Sequence, residues 1–467
     1  MAIGNLSQIG NSGMVAARSA LATSGHNISN ATTEGFSRQK VVTQAVHIDL
    51  SSRAGGMGTV VSGTDRLNDA YLEKQIRNAQ KEVSKCEEKE ILFQQLEDVF
   101  NEMNEDGLSR CIGKFFNDFR KLSEEPENGA IRHAVRESSQ TMVDHFKRID
   151  HQLQDITRHI DERIAGSISE MNHLTKSIAS LNDKMRSLSA SGGNVNDLLD
   201  QRDRDLKALS ALCEVSVHQN ESGMISVDLD RAGALVASCQ SEQLHVERIA
   251  DAQRTQGVYA ILGSTQEVIT QSIKNGKLGA LLEIRDEVIA GVREQLDAIA
   301  FALTESVNAI HTQGFTPEGK TGIAFFEPSE VEQGALGRFS LSEDVLTNVN
   351  AIATAFSPHA PGDNRVALKI AQLQNEKLIH DQQSTLEDGY DAFITDLGML
   401  TAKNRASLTQ EKDSMMQLHN MREQISGVSI DEETTQLLQY QHIFDACAKV
   451  IQIADDLMKT ILNLKRD

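Results

Sequence analysis

Asn27-Ile28-Ser29-Asn30-Ala31-Thr32-Thr33-Glu34-Gly35-Phe36-Ser37-Arg38-Gln39 closes an N-terminal segment of small and apolar residues at Ile3, Ser7, Gly10, Met14, Ala17, Leu21, Ser24 and Ile28. Steps alternating between four and three predict a supercoiling helix, and the quoted block is the turn that ends it. Asn27 and Asn30 suit helix ends and turns, Gly35 supplies a backbone angle most residues resist, and Phe36 can anchor the turn apolarly. With few large apolar side chains the helix is weak alone, so it is expected to be poorly ordered until something packs on it.

The far end carries a second such block. Ser426-Gly427-Val428-Ser429-Ile430-Asp431-Glu432-Glu433 opens a helix that runs toward the C-terminus. Ser429 and Glu432 form a capping box, and the acidic residues sit at the positive end of the helix dipole. One apolar seam is Leu437, Tyr440, Phe444, Cys447, Ile451, Ala454, Met458 and Ile461; a second is Ile443, Ala446, Val450, Ile453, Leu457 and Leu464. Two adjacent seams are too wide for one partner helix. The helix is either buried in its own domain's core, or packed on an intrachain partner and on neighbouring subunits.

Between these ends helical periodicity dominates. Val41 to Val61 reads as a hairpin with a Gly55-Gly56-Met57-Gly58 turn. Leu108, Ile112, Phe115, Phe119 and Leu122 form an amphipathic set that stops before Pro126. From Asn128 to Ser189 the pattern hardly breaks, predicting a rod of roughly 90 Å ended by Ser191-Gly192-Gly193. Helices follow at Leu198–Leu212, Leu278–His311, Asn364–Asn375 and Thr385–Ile425, with short β-like runs between Glu214 and Asn275. The fold class expected is mainly α: a long helical bundle with coiled-coil terminal helices and a small inserted β domain. The division is residues 1–66 with 427–467, residues 67–213 with 276–426, and residues 214–275.

Composition narrows the function. A net charge of −21 over 467 residues argues against nucleic acid or an anionic membrane as partner. All five prolines lie between Pro126 and Pro361, leaving both ends free of helix breakers. The five cysteines are odd in number and without a C-x-x-C pair, so neither a disulfide framework nor a zinc site is indicated. No apolar run reaches the length a bilayer requires, and Met1–Asn11 has no Lys or Arg to start a cleaved signal.

Candidate chemistry is sparse. Gly314-Phe315-Thr316-Pro317-Glu318-Gly319-Lys320-Thr321 matches the P-loop pattern, which needs a strand before it and a helix after it. Here a helix precedes, and a short extended run ending at Pro328 follows, so a turn is expected. Asp228-x-Asp230-x-x-Gly233 begins like an EF-hand loop, but Ala232 and Cys239 stand where ligands belong. Asp197, Asp200, Asp203 and Asp205 alternate with Arg202 and Arg204, which reads as a solvated, ion-paired helix face. No catalytic residue, cofactor or metal site is expected.

Both end blocks resemble the bacterial flagellar axial proteins, and together they are most similar to the hook-associated protein 1 family. Internal stretches that resemble it are Gly107-Leu108-Ser109 with Phe115-Phe116, Asn196 to Asp203, Gly276 to Asp286, and His311-x-x-Gly314-Phe315 with Gly319, Gly322 and Phe325-Phe326. The false P-loop lies within the last of these. The turn departs from the family's usual Thr-Pro-Gly-Tyr, being Thr33-Glu34-Gly35-Phe36. Larger relatives carry a further domain after the Phe-Phe turn, which this chain would lack or reduce.

The resemblance implies a non-enzymatic structural subunit joining hook to filament and assembling through its terminal helices. The terminal parts would form the inner tube domain, the helical part the rod domain, and the β domain the outermost part. The implied assembly interface comprises Met14, Leu21, Asn27, Ile28, Asn30, Gly35 and Phe36 on one side, with Leu437, Phe444, Cys447, Val450, Ile451, Ile453, Leu457, Met458 and Ile461 on the other. Implied partners are copies of itself in a ring, the hook protein, the second hook-associated junction protein, and an export chaperone on the C-terminal helix. Location would be extracellular, at the hook–filament junction, after flagellar type III export without a cleaved signal. The rivals are another axial protein (second junction protein or hook subunit), a free-standing coiled-coil scaffold, and remotely a P-loop nucleotide-binding protein.

Overall fold

Gly129–Ala190 is a single helix of 62 residues, as its uninterrupted periodicity requires. Met142, Phe146, Ile149, Leu153, Ile160, Ile164, Ile168, Met171, Ile178 and Leu181 fall at helical spacing and are all buried. It stops where Gly192 takes a φ of +74° and the Gly193 N–H donates to Leu188 O at 2.9 Å, a glycine-dependent C-terminal cap. The computed structural model describes residues 2–46, 56–100, 107–220, 223–229, 233–249, 258–262, 268–360, 362–379 and 383–464.

Along the chain the helices are α1 (Ala2–Ser29), α2 (Ala70–Val99), α3 (Leu108–Glu124), α4 (Gly129–Ala190), α5 (Asn196–Leu212), α6 (Gly276–Glu283), α7 (Ile289–His311), α8 (Ala335–Arg338), α9 (Glu343–Thr347), α10 (Arg365–Gln372), α11 (Leu386–Ser426) and α12 (Ile430–Leu464). The strands are β1 (Gln39–Ala45), β2 (Thr59–Arg66), β3 (Val215–Gln219), β4 (Ile225–Leu229), β5 (Gly233–Ala237), β6 (Gln240–Ser241), β7 (His245–Ile249) and β8 (Val258–Leu262). The helix expected over Leu278–His311 is continuous but for a π-helical stretch, Ile284–Val288, between α6 and α7. None of the helices among the described residues is long and apolar enough to cross a membrane.

Contacts divide the chain into two compact units: Met1–Val83 with Ser169–Leu244 and Gln410–Asp467, and Ser84–Ile168 with His245–Thr409. In the first, Leu72, Ile76, Ala79 and Val83 of α2 pack with Met415 of α11, and Arg422 closes on Glu73 at 2.8 Å. The hairpin is formed by β1 and β2, antiparallel with a bulge between Val42 and Thr43; Gly55 of its expected turn lies outside the described residues. In the second unit Phe115, Phe119, Phe325 and Phe326 stack edge to face, with Phe119–Phe325 centroids 5.4 Å apart and Phe325–Phe326 at 4.9 Å.

The region expected as a small β domain, residues 214–275, carries the remaining strands. They form a four-stranded sheet β3-β4-β5-β6 and a separate hairpin β7-β8, which fall in different units. Side-chain amides of α4 claim the first sheet. Asn182 Nδ2 donates to Ile225 O at 2.9 Å and to Ser238 O at 2.6 Å. Asn172 donates to Leu244 O at 2.8 Å and accepts from Leu244 N at 2.9 Å. Such ties hold sheet to helix beside its apolar contacts, and hydropathy does not signal them.

Candidate assembly interface

Helices α1 and α12 run antiparallel. A Cβ added at Gly10 would stand 2.7 Å from Ile451 Cγ1, and one added at Gly13 would stand 2.7 Å from Cys447 Sγ. The buried face of α1 follows Gly10, Ala17, Ala20, Ser24 and Asn27, with Gly13 between them in steps of three and four and Ala16 buried alongside. By the register these contacts set, Ala17, Ala20 and Ser24 lie opposite Phe444, Tyr440 and Leu437. Small residues on one helix therefore receive large ones from the other, and the axes approach closely.

The expected α1 positions divide accordingly. Gly10, Ala17 and Ser24 lie in the seam, whereas Met14, Leu21 and Ile28 are one residue off it and only half-buried. On α12, Leu437, Phe444, Cys447 and Ile451 are half-buried on the α1 side, and Val450 is half-buried too. Ile443, Ile453, Leu457, Met458 and Ile461 stay about half exposed or more. Thus α12 spends its first seam as far as Ala454 within the chain, and leaves Met458 and Ile461 of that seam uncovered together with Ile443, Ile453 and Leu457 of the second. The weak α1 helix, expected to lack order alone, has its tertiary support in α12.

The turn block forms a polar cluster beside this pair. Asn27 Nδ2 donates to Gln39 O at 2.9 Å, and its Oδ1 accepts from Gln39 N at 3.0 Å, clamping the block's two ends together. Asn30 Nδ2 donates back to His26 O at 3.0 Å, ending the helix. Gly35 has a φ of +77°, and its missing Cβ leaves room for Arg204 Cγ at 2.6 Å. Phe36 stacks edge-on to His26, centroids 5.5 Å apart.

Arg38 joins the two terminal blocks. Its N–H donates to Ser426 O at 2.9 Å, its Nε to Glu433 Oε1 at 2.7 Å, and its Nη1 to Glu432 Oε2 at 2.9 Å. The expected capping box is consequently half made. Ser429 Oγ accepts from Glu432 N at 3.4 Å, but the Glu432 carboxylate goes to Arg38, a stronger charge-assisted partner than a backbone N–H.

Helix α5 corrects a further expectation. Asn196, Asp200 and Arg202 are buried rather than solvated. Ser37 N donates to Asp200 Oδ2 at 3.2 Å, Gln39 Nε2 to Asp197 Oδ1 at 2.9 Å, and Asn196 Nδ2 to Thr64 O at 2.8 Å. Arg66 reaches Asp200 at 2.8 Å and Asp203 at 2.7 Å. Burial works against the Arg66 charge, but the Asp203 and Asp200 carboxylates more than offset it and its pKa is raised; burial lowers that of Arg202. Sequence reasoning missed Arg66, Arg38 and Glu433. The available signal was spacing: Asn196, Asp200 and Asp203 lie four and three apart on one helix face.

The P-loop match is a closed turn. Thr316 N donates to Lys320 O and Gly319 N to Thr316 O, both at 2.8 Å, and the Lys320 ammonium meets Glu318 at 3.0 Å. Those N–H groups are spent within the turn. Gly314 is required by packing, since a Cβ there would stand 2.8 Å from the Ala353 methyl. Among the described residues no group of three or more His, Cys, Asp or Glu could hold a metal; Asp230 and Ala232 of the EF-like stretch lie outside them. Cys111 and Cys213 are buried, and burial pushes the Cys213 thiol up to about 12.

The model of the flagellar hook-associated protein FlgK helical domain matches residues 93–326. A second model, the flagellar basal body rod FlgEFG protein C-terminal region, matches residues 423–464. The chain is 25% identical over 484 residues to flagellar hook-associated protein 1 of Bacillus subtilis, covering 96% of each chain. It is 25% identical over 546 residues to that of Salmonella typhimurium, covering 97% of this chain and 98% of the relative. The latter alignment exceeds this chain's 467 residues, so that relative carries segments absent here. The solved FlgK hook junction protein of Burkholderia pseudomallei shares the fold, with a TM-score of 0.67 at 17% identity over 75% of this chain and 100% of that one.

Proposed function

The chain belongs to the family of the flagellar hook-associated protein FlgK, and on that ground we propose that it is a structural subunit joining hook to filament, assembling through α1 and α12. The observation that carries the second half is the uncovered seam. Ile443, Ile453, Leu457 and Ile461 line α12 at helical spacing and remain about half exposed. Burying the remaining half of each such side chain stabilises by roughly 1 kcal/mol, a term that recurs at every lateral contact of a ring or tube.

In this reading residues 1–66 with 427–467 are the polymerisation element. The α1 side of α12, with Leu437, Phe444, Cys447 and Ile451, holds the element together. Val450, Ile453, Leu457, Met458 and Ile461 meet neighbouring copies, the hook protein or the second junction protein. The same uncovered seam is what an export chaperone would shield before the subunit leaves through the flagellar type III apparatus. Two hook-decoration experiments by electron microscopy test the proposal. The full chain should cap isolated hook ends, and a chain lacking residues 430–467 should not. Ile453→Asp with Leu457→Asp should also fail to cap while keeping native helicity. Capping by the truncated chain would refute assembly through α12.

A further inference from the structure

The α1 seam poses a problem of register. Gly10, Gly13, Ala17, Ala20 and Ser24 follow one another at heptad spacing and are all small. Sliding α12 along α1 by seven residues, about 10 Å, exchanges one small residue for another along the length still shared and forfeits one heptad of overlap. Gly427-Val428-Ser429 between α11 and α12 reaches about 10 Å in all when extended, and each residue unwound from the start of α12 adds about 2 Å, so linker and first turn together can follow a slip. Yet Ile451 meets Gly10 and Cys447 meets Gly13, which defines one register.

Besides the small Ser24, two buried polar residues break the seam, and the register puts them at the same level: Asn27 on α1 and Glu433 on α12. Asn27 is fully engaged by the main chain of Gln39. Glu433 is 1% exposed; one carboxylate oxygen takes the Arg38 Nε–H at 2.7 Å, and the other has no hydrogen-bond partner among the described residues. Its burial therefore depends on Arg38. Nor can Arg38 follow a sliding helix, because its N–H is held by Ser426 O and its C=O accepts from Leu67 N, both at 2.9 Å. A one-heptad slip would carry Glu433 opposite Ala20, beside Ala16, Ala17 and Ser24, where the seam offers the neutral Ser24 hydroxyl in place of the Arg38 guanidinium and leaves the charge unpaired. A buried carboxylate without a partner is among the costliest arrangements a fold can hold.

We propose that the Arg38–Glu433 ion pair is the register key of the terminal helix pair, with Arg38 as the positioning residue. It fixes which residues of α12 face α1 and where the uncovered seam lies along the axis. The inference concerns pairing within one chain and stands independently of the flagellar reading.

Disulfide trapping in the full chain tests it. Gly13→Cys opposite the native Cys447 reports the described register, and Leu6→Cys opposite Cys447 reports the slip. Mapping the bonds by mass spectrometry separates them from the other four cysteines. The bond from position 13 should exceed that from position 6 by about tenfold or more. Glu433→Leu should lower this ratio about tenfold, while Glu433→Gln, which still accepts from Arg38, should keep it. An unchanged ratio in Glu433→Leu would overturn the proposal. So would both bonds falling together, which marks Glu433 as a stability residue only, or no bond from position 13 in the parent chain.

Discussion

Protonating His311 should weaken the unit that contains the phenylalanine cluster, and the structure sets the size of the effect. The imidazole is fully buried beside Phe325. Ala353 N donates to its Nε2 at 2.9 Å, so Nδ1 carries the proton and donates to Ile323 O at 2.7 Å. A second proton on Nε2 would confront another N–H donor in an apolar site. Burial chiefly, reinforced by the Arg132 charge, lowers the pKa from 6.5 to about 4, although the Ile323 carbonyl resists. The folded-state value is thus depressed. The stabilisation is complete above the unfolded value of 6.5, and it is lost as pH falls from there toward 4. The whole gap is worth about 3 kcal/mol, of which about 2 kcal/mol is gone by pH 5. The assay is urea unfolding of the full chain and of His311→Gln between about pH 7.5 and pH 5. Glutamine can make both hydrogen bonds and does not titrate, so the difference between the two chains isolates His311 from the carboxylates. It should shrink by about 2 kcal/mol over that range. A difference that does not change with pH would refute the buried neutral imidazole.

Other perturbations follow from the same geometry. Gly10→Val should cost the α1–α12 pair about 1–3 kcal/mol, read as faster amide exchange around Ile451, because the added Cβ meets Ile451 Cγ1 at 2.7 Å. Arg66→Ala leaves buried Asp200 without its cation and should destabilise by about 3–5 kcal/mol in denaturant melts; Arg66→Ala with Asp200→Asn should recover part of that. Lys320→Ala removes an exposed side chain paired with Glu318, so stability should move by less than about 0.5 kcal/mol. Calorimetry should find no micromolar ATP binding in either form, and such binding abolished by the substitution would restore the nucleotide reading.

The long helices were legible because their apolar repeats are uninterrupted and their ends carry glycine. Asn128 to Ser189 was expected and Gly129–Ala190 is observed; Thr385–Ile425 was expected and Leu386–Ser426 is observed. The partner faces were harder. Hydropathy draws attention to Met14, Leu21 and Ile28, but close approach is decided by the residues that are absent in bulk, Gly13, Ala20 and Asn27. Acidic residues on α5 read as solvated because Arg66, which buries Asp200, lies 134 residues away in sequence. The π-helical stretch at Ile284–Val288 follows from no local preference: Arg285 there is buried against Asp161 at 2.7 Å, a contact between distant segments.

Closure of α1 on α12 also has a meaning in time. The Gly10–Ile451 contact spans a loop of about 440 residues, among the slowest kinds of contact for a chain to find. During synthesis α1 emerges from the ribosome before its partner exists, and it stays unpaired until nearly every other element has been made. The earliest helix of the chain is thus the last to be completed, and a translation product cut short before α12 carries it with the Gly10, Gly13 and Ala17 face uncovered.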